Sequence, residues 1–490
     1  MVEKPKSTLE SRALTLTCFT PLLCAALVLY SCARDSEFKQ WGLPQDLPDY
    51  LGQLRILKVP SLVTHLNWVP PNLEELDASA TAITDIPILS IGLERLDVHA
   101  AKNLRHLASL PPSLRDLDIR FTQVEEPWRF PQDLESLALG GEYVRTLEGL
   151  KSSSILELHL DRVPNLQSSV GMPASLRFLS ISGATFSELI DLPLGVTELR
   201  LEGTQIRSLD NLPDSLQSLV LIGNPVMEVE LPPFLLDLTV DRLQKRPSVE
   251  ALHFLNRLEG SYVGSSDRLP PLLRELRTPA YSLKRAPTTL RRLYLTNEMN
   301  DGSWLSSLPS SLQELRWPGG YELNDLPAGL KHLDIHATRL KDLSELPSQV
   351  WLESLDISWT AIPIRALPPS LYDLRYRFCP FSSISDLPRR LRTLDIAGSR
   401  RVRWLGALPP QLQRLNISET SISELPELPA SLADLDISST SIRSLTPLKE
   451  LKKLRRLTVH SGQLESLVGL PESVDALLFV DLAPGMMPTN

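Results

Sequence analysis

The sequence predicts a repeat solenoid, in which many similar units each add one short strand to a parallel β-sheet. The first observation is a pattern, "LxxLxL/I" with an apolar residue in its first slot, that occurs 22 times between Leu54 and Val474. Its mean spacing is 20 residues, and a fixed period in this range is the signature of a solenoid. The second is the placement of the 41 prolines, which recur in "LPxLPxSL" segments between the patterns.

The patterned part of each unit reads as a strand. In "LQRLNIS", which begins at Leu412, apolar and polar residues alternate, as they do in a strand with one buried face. A single short strand cannot bury that face alone. Stacked on its neighbours, it forms a parallel sheet over a continuous Leu/Ile core. We expect this sheet to line the concave side of a horseshoe.

The proline segments read as the return path between strands. Proline fixes φ and has no N–H donor, so a stretch such as "LPELPASL" cannot form an α-helix of any length. A unit of 20 residues also leaves no room for a strand, two turns and a full helix. We therefore predict extended or polyproline II segments on the convex side.

Taken together, these units resemble the leucine-rich repeat, "LxxLxLxxNxL", and the "LPxxL" opening resembles the short bacterial repeat of YopM- and IpaH-type effectors. The resemblance covers roughly residues 50 to 480. It implies a solenoid that binds partners. IpaH-type proteins carry a ligase domain with a nucleophilic Cys beyond the repeats. Here only "DALLFVDLAPGMMPTN" follows Val474, so we do not expect that activity.

One slot of the repeat, eight residues after the first Leu, holds Asn in the family, where its amide bonds the backbone of the turn on both sides. In this chain Asn224 keeps the family residue, Cys379 also occupies the slot, and threonine is frequent there: Thr81, Thr122, Thr204, Thr338, Thr360, Thr420 and Thr440. A hydroxyl donates one bond and accepts others. We expect these residues to satisfy the turn's backbone and to have no catalytic role.

The chain divides by sequence into four parts: residues 1–32, a signal peptide or membrane anchor; 33–53, a linker and N-terminal cap; 54–480, the solenoid; and 481–490, a tail. The net charge of −9 over 490 residues argues against a dedicated nucleic-acid binder. Three of the four cysteines, Cys18, Cys24 and Cys32, lie at the N-terminus, so no disulfide framework is expected within the repeats.

The N-terminus has the pattern of an export signal. Lys4, Lys6 and Arg12 precede the uncharged run 13–30, and "LYSCAR" follows it. This ending resembles a bacterial lipoprotein cleavage site, with Cys32 as the lipidated residue; Tyr30 departs from the usual small residue. The alternatives are an uncleaved membrane anchor and a plain signal peptide. We expect a cell-envelope protein held at the membrane by its N-terminus, or else a secreted one.

The sequence contains no P-loop, GxGxxG, HExxH, paired CxxC or GxSxG pattern, so neither an enzyme nor a cofactor is predicted. The best metal candidate is "KHLDIHAT", in which His332, Asp334 and His336 alternate on one face of a strand. Two neighbours in this trio, ~6–7 Å apart along the strand, could share an ion. Solvent-exposed polar residues are the alternative reading.

The exposed strand positions suggest where a partner binds. Arg277, Tyr294 and Arg316 occupy the same position in consecutive units and are joined by Arg292, a composition enriched at interface hot spots. The insertion 296–304 lies nearby. Asp77, Asp97 and Asp118 would stack as like charges. The arginines of 375–403 are spread around the edge of the solenoid, which favours a solvated belt.

The function predicted from these features is a non-enzymatic scaffold that binds a protein partner through its concave face. Within binding, the alternative is an effector-like protein that acts on a host protein. An enzyme or metal-binding protein using His332 and Asp334, and a passive structural surface protein, are the other classes.

Overall fold

The structure is a computed structural model, and the chain divides in it into two compact units, residues 1–247 and 248–490. The described residues are 15–16, 55–59, 64, 66, 69–107, 109–125, 130–209, 212–226, 228–241, 249, 251–260, 269–278, 286–296, 305–320, 323–348, 350–460, 468–471, 473–474 and 476–480.

The first unit is built on parallel strands that pair in chain order: β1 (Thr15–Leu16), β2 (Ile56–Lys58), β3 (Glu75–Asp77), β4 (Arg95–Asp97), β5 (Asp116–Asp118), β6 (Ser136–Gly140), β7 (Glu157–Asp161), β8 (Phe178–Ser182), β9 (Glu198–Glu202), β11 (Ser218–Ile222) and β13 (Asp237–Val240). β10 (Ser208–Leu209) and β12 (Glu228–Val229) form a separate parallel pair. Consecutive repeats of this unit therefore lie side by side, as the repeat pattern requires.

The second unit repeats this arrangement with β14 (Arg257–Gly260), β15 (Glu275–Thr278), β16 (Arg292–Leu295), β17 (Glu314–Arg316), β18 (His332–Asp334), β19 (Ser354–Asp356), β20 (Asp373–Arg375), β22 (Thr393–Asp395), β24 (Arg414–Asn416), β25 (Asp434–Asp436), β26 (Arg456–His460) and β27 (Ala476–Val480). β21 (Ser383–Ile384) and β23 (Trp404–Leu405) pair apart from them.

Each of the 22 predicted repeats matches one strand, and β1, which precedes them, is a further strand that the repeat pattern does not include. Two residues after each predicted first slot, from Leu54 to Val474, a strand of the main ladder begins. The middle leucine of the strand, such as Leu76 or Leu415, is almost fully buried, whereas its neighbours are partly or largely exposed. Fully burying a leucine contributes ~1.5–3 kcal/mol, so the leucine stack supplies the main driving force for the fold.

The proline segments end in a tight turn that starts the next strand. The carbonyl of the proline accepts a hydrogen bond from the backbone N–H of the first leucine of the next repeat, as from Leu114 N to Pro111 O at 3.1 Å. The serine of "PxSL" then donates a hydrogen bond to the preceding repeat: Ser113 Oγ donates to Leu93 O at 2.7 Å, and Ser431 Oγ donates to Leu412 O at 2.7 Å. Each serine thus links two consecutive repeats.

The helical segments among the described residues are three-residue 3₁₀ turns: Glu148–Leu150, Leu305–Ser307, Ile364–Ala366 and Thr446–Leu448. Leu367, which follows one of them, has φ −74° and ψ 139°, the polyproline II geometry. The structure therefore agrees with the prediction that the return path is not α-helical.

In many repeats, the turn after the strand uses a left-handed residue that is followed by the slot that Thr or Asn often fills. Ala80, Glu419 and Ser439 have φ of 53°, 52° and 54°, and Gly203 and Gly223 fill the same place with φ of 58° and 65°. Each of these five residues immediately precedes the slot. The left-handed residue reverses the chain, so that the slot's side chain points back into the turn.

Within the described part of the chain, none of the helices has the length and hydropathy needed to span a bilayer. The predicted apolar run 13–30 lies outside the described residues except for Thr15–Leu16, and Cys32 and the linker 33–53 also lie outside them. The signal, anchor and lipidation hypotheses therefore stay predictions from the sequence.

Candidate interaction face

The structure brings the four predicted binding residues together on the exposed face of the second unit's sheet. Arg277 on β15 is in register with Tyr294 on β16, and Tyr294 is in register with Arg316 on β17. Arg292 lies two residues before Tyr294 on the same strand, so its side chain is on the same face. The regular pairing of these strands holds all four side chains in one patch.

Contacts within the patch are specific. The Arg277 guanidinium lies over the Tyr294 ring, 4.9 Å from its centroid, in a cation–π arrangement. Burial, followed by the charge of Glu314, raises the pKa of the Tyr294 hydroxyl to about 12. Tyr294 is therefore neutral at physiological pH and presents a ring that is already held in place by a neighbouring cation.

The arginines of the patch are paired with carboxylates on adjacent strands. Arg292 Nη2 lies 2.8 Å from Glu275 Oε2, and Arg316 Nε lies 3.1 Å from Asp334 Oδ2. Arg277 Nη1 lies 3.7 Å from Glu259 Oε1. Between 38% and 53% of each arginine side chain stays exposed. The sequence predicted the positions of the cations but not these partners, which hold the guanidinium groups in fixed orientations.

The aspartates at the exposed strand positions of each unit have a structural role that the sequence analysis missed. Asp97 Oδ1 accepts a hydrogen bond from the backbone N–H of the residue two positions later, at 2.9 Å. The same bond is formed by Asp77, Asp118, Asp334, Asp356, Asp395, Asn416 and Asp436. Each strand with such a residue has three residues and ends at it. These carboxylates therefore end strands by an Asx turn.

The sequence signal for this role was present. The pattern "LDx" places Asp or Asn directly after the buried leucine, and Asn416 shows that the carbonyl oxygen of an amide serves as well as a carboxylate. In β7 and β9, where this position holds His159 and Arg200, the strand continues to five residues, whereas β17 and β20 end after three residues at Arg316 and Arg375 without an Asx side chain. Like-charge stacking alone was therefore an incomplete reading of Asp77, Asp97 and Asp118.

The metal candidate was a pair of neighbours within His332, Asp334 and His336, and the structure brings Asp334 and His336 into contact. Asp334 Oδ1 is bonded to His336 Nδ1 at 2.6 Å, and its other oxygen faces Arg316. Hydrogen bonding to Asp334 is the main cause that raises the pKa of His336. His332 begins the strand and is exposed. Among the described residues, the group of three that brings one ligand atom from each residue within 4.8 Å of the others is Asp97, His99 and Asp118.

The sequence predicts that the arginines of 375–403 form a solvated belt around the edge of the solenoid and that the insertion 296–304 lies near the face. Arg377 is paired with Asp395, and Arg400 Nη2 lies 3.2 Å from Glu419 Oε2, so parts of the belt are ion-paired across adjacent repeats. The rings of Trp359 and Phe378 stack with their centroids 4.0 Å apart, a contact that the sequence analysis did not predict. Of the insertion 296–304, residues 297–304 lie outside the described residues.

Parallel strands stacked at this period, with a buried leucine in each and a mostly polar slot in the following turn, define the fold class, which is the leucine-rich-repeat solenoid. No family model matches the chain. A probable disease resistance protein of Arabidopsis thaliana is 30% identical over 189 residues, 37% of this chain and 10% of that protein. The chain thus spans about a tenth of the length of the curated relatives it matches.

Two solved structures are similar to the chain. YopM from Yersinia enterocolitica is 27% identical, with 91% of this chain and 98% of YopM covered and a TM-score of 0.42. TLR13, solved in complex with ssRNA13, is 16% identical, with 86% and 74% covered and a TM-score of 0.53. The TLR13 likeness shows the fold, which confirms the predicted class. The repeats resemble those of YopM, as the sequence predicted.

Proposed function

We propose that this protein is a non-enzymatic scaffold that binds a protein partner through the exposed sheet face of its second unit. The observation that carries the proposal is the patch of Arg277, Arg292, Tyr294 and Arg316, which the sheet register assembles from three strands. Tyrosine offers a large rigid contact area with little side-chain entropy to lose, and arginine adds planar bonding with several donors.

Preorganisation supports this assignment. Tyr294 is flanked by Arg277 on one strand and Arg316 on the next, and each arginine has a carboxylate that holds it. A partner that docks here does not have to immobilise these side chains, which reduces the entropic cost of binding. The pairing also leaves the patch close to neutral, so its recognition rests on the aromatic surface and directed hydrogen bonds rather than on net charge.

We also propose that the protein is exported and held at the cell envelope by its N-terminus. The support is the sequence of residues 1–32: a basic flank, an uncharged run and Cys32 in a lipoprotein-like setting. An anchor of this kind would leave the solenoid beyond the membrane surface, with its sheet face open to a partner.

The binding proposal is tested by quantitative affinity capture with the full chain and with the double variant Tyr294→Ala, Arg316→Ala. Truncating a hot spot costs ~2 kcal/mol or more, about thirtyfold in affinity. We expect the double variant to lose the partner while its thermal melt stays close to that of the parent, because both side chains lie on the exposed face.

The matched control is Arg414→Ala with Arg456→Ala, two exposed positions on later strands of the same unit. Asp395 and Asp436 would be poor controls, because both hold Asx turns. If the control weakens capture as much as the double variant does, the partner binds further along the sheet and the assignment of the patch is wrong.

The anchoring proposal is tested by Cys32→Ser. The lipid would be attached to that sulfur, so we expect the variant to leave the membrane fraction, with a matching loss of lipid mass from the intact protein. Cys24→Ser is the control and should leave fractionation unchanged. If the Cys32→Ser variant still sediments with membranes after a high-salt wash, the apolar run itself is the anchor.

A further inference from the structure

We propose that Asp97, His99 and Asp118 in the first unit form a binding site for a divalent transition-metal ion, of which Zn²⁺ is the representative. One ligand atom from each of the three residues lies within 4.8 Å of the other two. Asp97 and Asp118 are in register on β4 and β5, and His99 follows β4 by two residues. The ion would therefore join two adjacent repeats.

The imidazole distinguishes this place from the aspartates that have no histidine two residues later. Aspartates occupy the same strand position in several repeats, where their Asx turns account for them. Only a site that adds a nitrogen donor offers the mixed N/O set that Zn²⁺ and its neighbours favour. His99 Nδ1 lies 2.9 Å from Asp97 Oδ1, so these two potential metal-ligand atoms are already adjacent.

The three ligand atoms lie within reach of one ion. In the tetrahedral geometry of a Zn²⁺ site, bonds of ~2.0–2.2 Å place two ligand atoms ~3.3–3.6 Å apart. From separations of up to 4.8 Å, the side chains therefore close by about 1 Å or a little more when the ion binds. The side chains of Asp97 and His99 are 32% and 39% exposed, so they have room for that movement, and solvent can supply the remaining ligand.

Arg120 is the competitor for the ion. Its Nε lies 3.0 Å from both oxygens of Asp118, in a side-on pairing that neutralises this carboxylate. A second carboxylate is available to it, because Arg120 Nη1 also lies 3.6 Å from Asp161 Oδ2. When an ion binds, Arg120 can turn toward Asp161 and release Asp118. The metal thus replaces one ion pair by another rather than leaving a guanidinium unpaired.

The second unit supplies a natural comparison. Asp334, His336 and Asp356 repeat the same residue types at the same positions, with the two aspartates in register. Among the described residues, however, this trio does not bring its three ligand atoms within the distance found in the first unit. Arg316 also lies against Asp334, the residue that would chelate together with the histidine.

The test is a titration of the full chain with Zn²⁺ in competition with a fluorescent chelator, accompanied by thermal melts. We expect one site that is weakened at least tenfold by His99→Gln or Asp118→Asn. His336→Gln should leave it unchanged. Arg120→Gln should tighten it several-fold, since it removes the competing cation, and an outer-surface site would not respond in this way. Zn²⁺ should also raise the melting temperature of the parent but not of His99→Gln.

Three results would overturn the proposal: no competition with the chelator at micromolar Zn²⁺, equal losses from His99→Gln and His336→Gln, or weaker binding in Arg120→Gln. Far-ultraviolet circular dichroism of each variant checks that its fold is intact. Asp118→Asn keeps the Asx acceptor, so a loss of zinc in that variant reports on the ligand rather than on the turn.

Discussion

At the scale of single residues, the slot threonines close the turn that follows each strand. Thr420 Oγ1 donates to the carbonyl of Ile417, three residues earlier, at 2.7 Å, and Thr81 and Thr122 form the same bond. Asn224 does more, because its Nδ2 donates to Leu201 O at 2.8 Å while its Oδ1 accepts from Thr204 N at 3.1 Å. The asparagine bonds across repeats, and the threonine mostly satisfies its own turn.

This difference predicts the outcome of substitutions at Thr420, which is 5% exposed. Thr420→Val keeps the shape but leaves the Ile417 carbonyl without its donor, so we expect a loss of ~1–3 kcal/mol in the free energy of unfolding. Thr420→Asn should be nearly neutral, since the amide can donate to the same turn. Chemical denaturation of the two variants measures this, and an unchanged midpoint for the valine variant would contradict it.

Asp373 shows a residue whose burial is only partly compensated. Its Oδ1 is buried with no hydrogen-bond partner among the described residues, and desolvation raises the pKa of the carboxyl above its ordinary value of 3.8, with attraction to Arg375 and Arg414 opposing the shift. Because the folded protein binds this proton more tightly than the unfolded chain does, the stability it contributes is full below pH 3.8. That stability is lost as the pH rises through the raised value.

We therefore expect Asp373→Asn to melt at a higher temperature than the parent at pH 7, with the difference shrinking toward pH 3, where the aspartate is itself neutral. The control is Asp434→Asn, at the equivalent strand position. Its carboxylate accepts from Arg456 at 3.2 Å, so this change removes an ion pair and should give no gain. A gain for Asp373→Asn that is equally large at pH 3 would contradict the account.

At the scale of elements, the strands and their spacing were predictable because the same apolar pattern recurs in every repeat. The buried leucine, the alternation around it and the excluded helix follow from side-chain period and from proline chemistry. The left-handed residue before each slot was not predictable, because it is Ala, Phe, Trp, Glu, Ser or Gly in different repeats. The solenoid imposes that conformation through its neighbouring turns, and the identity of the residue does not signal it.

Two glycines in this left-handed position separate conformation from crowding. A Cβ at Gly203, with φ 58°, would meet nothing within 4 Å, so Gly203→Ala should cost only the left-handed penalty of ~1–2 kcal/mol. A Cβ at Gly398, with φ 72°, would collide with the ring of Phe378, so Gly398→Ala should cost more. Equilibrium unfolding of both variants checks the order, and equal losses would show that the Phe378 ring moves aside freely.

At the scale of the whole molecule, the sequence located the candidate face but not its internal pairing. Arg277, Arg292, Tyr294 and Arg316 were recognised because they fall at equivalent positions of successive repeats, and the register confirmed that they meet. The carboxylates that hold them, and the cation–π contact, depend on which rotamers the crowded face allows. The zinc candidate was not predicted from the sequence for the same reason: "LDVH" at 96–99 and "LDIH" at 333–336 are nearly the same pattern, and only the side-chain positions distinguish the two places.

The central claim is that a protein partner docks on the exposed sheet face at Tyr294. Site-specific photo-crosslinking tests it most directly, with a photoreactive phenylalanine analogue placed at position 294 in one sample and at position 351 in another. Trp351 is 69% exposed in the same unit but lies outside the strands, so it is a matched aromatic control.

We predict that irradiation in the native setting gives a protein adduct of one discrete mass from position 294 and none from position 351. Excess unlabelled parent protein should compete the adduct away, and Arg316→Ala should diminish it. An adduct of the same mass that forms from position 351 and not from position 294 would place the partner off the sheet face and contradict the account.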